Sequence, residues 1–111
     1  MRKLQLRLLL SIVFAAAFIS TSFSQVVISQ VYGGGGNSGA TYTHDFIELF
    51  NRGTSPISLA GWSLQYASAT GTGNFGSSAN QITELPNVIL QPGQYFLVQQ
   101  AGGATGVALP T

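Results

Sequence analysis

The nine residues HDFIELFNR (44–52) contain the only histidine of the chain, two of its three acidic residues and one of its four basic residues. A histidine near two carboxylates is raw material for general acid–base catalysis, and the same groups are metal ligands. Periodicity decides against both uses. The stretch is rich in aromatic and branched residues and reads as a β-strand, whose successive side chains point to opposite faces. Asp45, Ile47, Leu49 and Asn51 then share one face, and His44, Phe46, Glu48, Phe50 and Arg52 the other. Carboxylates on two sides of a sheet cannot serve one substrate. His44 and Glu48 share a face, but four residues of strand hold them about 13 Å apart, beyond hydrogen-bond reach. No serine is tied by spacing to His44, so no nucleophile–base pair can be assembled. No catalytic residue is expected.

Metal chemistry fares no better. Calcium takes about 6–8 oxygen ligands, and three scattered acids supply too few. Zinc asks for more histidine or cysteine than one histidine and no cysteine provide. Glu48, between Phe46 and Phe50, is costly to leave unpaired in a sheet. Its expected partners are Arg52, a neighbouring backbone N–H or solvent. No metal site is expected.

Two glycine-rich stretches imitate phosphate-binding motifs. Gly34, Gly36 and Gly39 follow a predicted strand with the G-x-G-x-x-G spacing, and Gly71, Gly73 and Gly76 repeat it. Dinucleotide binding needs a helix next, whose N-terminus carries the pyrophosphate, and an acid about 20 residues on. Position 54 is threonine, and 40–50 (ATYTHDFIELF) has strand character. Residues 34–41 also approach a P-loop, but Ala40 stands where a lysine must reach the phosphates. With 14 glycines in 111 residues such matches arise freely. No cofactor is expected, and both stretches read as flexible, solvated surface loops.

The elements that position these residues occupy one small domain. Arg2, Lys3 and Arg7 precede the largely apolar LLLSIVFAAAFI (8–19) and the small-residue stretch STSFSQ (20–25). That order is a secretory signal peptide, with cleavage expected between Ser24 and Gln25. The apolar run is shorter than the roughly 20 residues a membrane-spanning helix needs, and no such helix is expected after cleavage. The segment 25–111 keeps Arg52 against Asp45, Glu48 and Glu84, a formal charge of −2 with no lysine. A nucleic-acid binder needs a basic face, so direct nucleic-acid binding is not expected. Absent cysteines leave packing to hold the fold.

Runs of β-branched and aromatic residues alternate with Gly, Pro, Asn and Ser clusters, the pattern of an all-β domain. Strands are predicted at 26–32, 42–50, 55–59, 62–67, 81–85, 87–90 and 94–100. Gln91-Pro92-Gly93-Gln94 has the chemistry of a type II turn, and Gly61 that of a tight corner before Trp62. Candidate core residues are Phe46, Ile47, Leu49, Phe50, Leu59, Trp62, Leu64, Phe96 and Val98.

The strand running into a glycine loop, FIELFN (46–51) with its short turn, ISLAGWSLQ (57–65) and LQPGQYFLV (90–98) together resemble the lamin tail domain, in the versions found in exported bacterial proteins. The resemblance covers 26–111. It implies an immunoglobulin-like β-sandwich with no catalytic residue, serving as an interaction module and often joined to secreted nucleases, phosphoesterases or adhesion-type repeats. Nuclear lamin versions contact DNA and protein. The acidic, lysine-free segment argues against carrying DNA binding over. Family members continue past the equivalent of ALPT (108–111), so an incomplete sandwich is expected, with exposed edges and a tendency to associate.

These readings give a signal peptide (1–24) and a partial lamin-tail-like domain (25–111), exported to the cell surface or medium. The expected function is to tether a larger protein to an unknown partner protein or surface polymer. The alternatives are an accessory domain of a secreted nuclease or phosphoesterase, or part of an adhesion protein. Tyr32, Tyr42 and Phe75, on or beside the loops, are the candidate partner-binding residues.

Overall fold

Strand β2 (His44–Asn51) forms the centre of a three-stranded antiparallel sheet, between β1 (Val26–Tyr32) and β7 (Tyr95–Gly102), in the computed structural model, which describes residues 24–110. The expected signal peptide falls on 1–23, outside the described residues, apart from Ser24 at its end. Val31 and Val98 flank Ile47, and Phe96 lies beside Leu49, so strand alternation assembles one apolar row across the sheet. Register is set by this row, because a slip of one residue would turn it outward.

A second layer packs on that row. Strand β3 (Ile57–Ser58) pairs with β6 (Ile89–Leu90), and β4 (Ser63–Gln65) with β5 (Ile82–Glu84), both antiparallel. Between them the Leu59 N–H donates to the Val88 carbonyl and the Leu85 N–H to the Trp62 carbonyl, each across 2.9 Å. The two short ladders are thus one bent ribbon. The seven predicted strands all lie where the sequence places them, β3, β4, β5 and β6 shorter than expected, and a 3-10 turn (Ala79–Gln81) leads into β5. The Gln94 N–H closes on the Gln91 carbonyl with Gly93 at φ 76°, as the predicted turn requires. The architecture is all-β, an immunoglobulin-like sandwich of antiparallel sheets.

Leu49, Leu59, Leu85 and Val98 form the buried centre, with Val26, Ile47, Leu64, Val88 and Phe96 packed around it. Burying each large aliphatic side chain contributes about 1.5–3 kcal/mol. Two strands cannot cover three, however. Ile28 and Val31 hold inward register positions on the edge strand β1, yet are 56% and 66% exposed.

One core expectation needs correction. Trp62 is 43% exposed. It ends the turn that Gly61 makes at φ 78°, and its N–H is tied back to Leu59, so it stands outside β4 and its inward alternation. Phe46 and Phe50 belong to a second aromatic layer on the sheet's outer face. Phe46 is buried, stacked on Tyr32, while Phe50 is only half-buried, stacked on Tyr95 with ring centres 4.5 Å apart. Asn51, which sequence reading places on the inner face without assigning it to the core, is wholly buried.

Candidate functional site

Each polar side chain of β2 is engaged in holding the chain around it. Asp45 Oδ1 accepts the Gly35 N–H at 2.7 Å and so fastens the first glycine loop to the sheet. Glu48 Oε1 accepts the Ser29 hydroxyl at 2.7 Å. Ser29 is the residue skipped where the β1–β2 register shifts, so the carboxylate stabilises a β-bulge, a partner that sequence reading missed. His44 Nδ1 lies 2.9 Å from Thr43 Oγ1, and its ring fills the space above Gly102, where no Cβ would fit. Among the described residues no three His, Cys, Asp or Glu side chains gather where a metal could sit. The arrangement holds backbone in place and brings no acid–base pair together.

The three candidate partner-binding residues separate into two kinds. Tyr32 and Tyr42 meet edge to face at 5.7 Å, and both pack on Phe46, at 5.3 and 6.0 Å between ring centres. The Tyr32 hydroxyl also accepts the Thr41 N–H at 3.2 Å. Both tyrosines therefore pin the first loop onto the outer face. That loop is not the flexible, solvated segment its glycines imply. The Gly36 N–H donates to the Tyr42 carbonyl at 2.9 Å, and the Gly36 carbonyl accepts from Thr105 at 3.3 Å. Phe75 is different. It is 70% exposed on the second glycine-rich loop, one residue before Gly76, whose N–H returns to the Tyr66 carbonyl at 3.1 Å.

Tyr66 borders a cavity of about 350 Å³ between the inner side of β1 and β2 and the β4–β5 ribbon. Val31, Ile47 and Leu64 give it apolar walls. Gln65, Asn80, Gln81, Thr83 and Gln100 add amides and a hydroxyl. Among the described residues that line it, Asp45 alone carries a formal charge, and that carboxylate already receives the Gly35 N–H. Sequence reasoning missed this cavity. Its signal lay in β7, where the alternation that turns Phe96 and Val98 inward also turns Gln100 inward.

An antiparallel sandwich whose central strand spends its polar groups on structure, with loops and a cavity at its margin, belongs to the class of β-sandwich interaction domains. The sequence pattern of the lamin tail domain matches residues 19–110, nearly the whole chain, and the protein belongs to that family, whose domain is a non-catalytic interaction fold. No curated protein and no solved structure matches the chain.

Proposed function

We propose that this lamin tail domain is the interaction module of an exported protein, which it tethers to a surface polymer or a partner. The observation that carries this reading is the engagement of His44, Asp45, Glu48 and Asn51. Each is bonded to its own or a neighbouring strand or loop, and the two carboxylates of β2 occupy opposite faces. Export is supported by the basic start and short apolar run of 1–19. An acidic surface without lysine beyond residue 24 favours an uncharged or protein partner over nucleic acid.

The test is a reporter fused to the carboxyl end of the full chain and expressed in an exporting bacterial host. The expected product begins at Gln25 by mass and partitions with the cell envelope. Intact residues 1–24 on the product, or free release of the reporter into the medium, would count against the reading.

A further inference from the structure

Gln100, in the wall of the cavity, has a side-chain amide that is only half satisfied. Gln100 Oε1 accepts the Thr83 hydroxyl at 2.9 Å, while Gln100 Nε2 is sealed from solvent and has no partner. Rotating the amide by half a turn exchanges its ends, so either its donor or its acceptor is left unmet, because Thr83 satisfies only one of them. A buried amide hydrogen without an acceptor costs about 1–3 kcal/mol, so such an atom marks a place where a ligand atom is worth having.

The surroundings state what that ligand is. The volume of about 350 Å³ is near the low end of small-molecule pockets, about 300–1,000 Å³. No cation lines the cavity among the described residues, and its single carboxylate already holds the Gly35 N–H, so the lining is dominated by neutral polar groups. Side-chain amides both donate and accept, which suits a ligand made of hydroxyl groups. Leu64 and Ile47 offer a dry wall for C–H surface, and Tyr66, 61% exposed at the rim, offers an aromatic face. We propose that this cavity binds a neutral, polyhydroxylated ligand, a sugar unit of an uncharged surface polysaccharide, with Gln100 turning its sealed, unmet amide end onto a ligand hydroxyl. The inference rests on the proposed interaction role and names the polymer.

The experiment is affinity electrophoresis of the full chain through gels containing one neutral polysaccharide each, such as dextran, mannan, xylan or a mixed-linkage glucan, with alginate as a charged control. At least one neutral gel should retard the protein several-fold, and added salt should leave the retardation unchanged. Gln100→Glu keeps the acceptor for Thr83 and removes the donor; Tyr66→Ala truncates an exposed side chain. Each should abolish retardation, with the fold verified by circular dichroism. Free passage through every neutral gel, retardation that survives both substitutions, or retardation by alginate alone overturns the inference. Envelope retention by the reporter fusion separates the two levels. Retention that Gln100→Glu leaves intact sinks the sugar assignment and keeps the interaction role, whereas loss of both retention and retardation in the unaltered chain sinks both.

Discussion

The side-chain amide of Asn51 donates to the Leu90 carbonyl across 2.9 Å and thereby ties the central strand of one layer to the ribbon of the other. The same Nδ2 donates to Ser55 at 2.9 Å, and Oδ1 accepts the Gly53 N–H at 2.9 Å. The Asn51 backbone is used as completely, its N–H bonded to Gln94 and its carbonyl to Gly93. A wholly buried amide with both donors and its acceptor engaged fixes one arrangement of strands and turns, because any shift strands a polar group in a dry interior.

Replacing Asn51 with leucine should therefore cost more than a typical core substitution. It takes the side-chain partner from the Leu90 carbonyl and the Gly53 N–H, each worth about 1–3 kcal/mol when buried, while the exposed Ser55 carbonyl keeps the Gln25 amide. The expected loss is about 3–5 kcal/mol, a large share of the roughly 5–15 kcal/mol that holds a domain together. Urea unfolding followed by circular dichroism measures it, and an unchanged midpoint would show that the backbone pairing closes the sandwich unaided.

The first glycine loop gives a comparison internal to one segment. Gly36 and Gly39 both adopt positive φ, 72° and 79°, which costs an L-residue about 1–2 kcal/mol. A Cβ on Gly39 meets open space, whereas one on Gly36 runs into the Gly103 backbone. Gly36→Ala should lower the thermal midpoint distinctly more than Gly39→Ala. Equal effects would mean that the approach of residues 36 and 103 is not held in solution.

The strands were legible because each carries its own alternation and its own punctuation. Pro92-Gly93 announces a turn, and Ile47 and Leu49 announce an inner face without reference to anything distant. The opposite faces of Asp45 and Glu48 follow from the same period. The rest was set by partners far along the chain. Nothing near Glu48 reveals that Ser29 bulges opposite it, and nothing near Asn51 reveals the Leu90 carbonyl 39 residues away. Glycine content made the first loop look free, but Asp45, Tyr32 and Thr105 hold it. Trp62 misled for the opposite reason, since its size argued for the interior while the turn at Gly61 set its direction.

Tyr42 and Phe75 should respond differently to truncation, although both are aromatic residues associated with glycine-rich loops. Tyr42→Ala removes edge-to-face contacts with Tyr32 and Phe46, each aromatic pair worth about 0.5–1.5 kcal/mol beyond its buried area. A loss of about 1–3 kcal/mol in chemical denaturation is expected. Phe75→Ala, at a side chain 70% exposed, should change stability by less than about 0.5 kcal/mol. If Tyr42→Ala melted like the unaltered protein, the aromatic layer on the outer face would not be contributing to the fold.

The uncovered inner side of β1 makes a final prediction about association. Ile28 and Val31, 56% and 66% exposed, sit on a strand that among the described residues pairs on one side only, so apolar surface and an open backbone edge coincide. That combination invites pairing between chains, and proteins suppress it by placing lysine on such edges. No lysine lies beyond residue 24. The sedimentation coefficient of the purified chain should rise with concentration, and Ile28→Lys with Val31→Lys should remove that dependence. Neither residue belongs to the centre of the core, so the thermal midpoint of the double variant should stay within a few degrees of the original. Concentration-independent sedimentation of the unaltered chain would mean that something in solution already shields this edge.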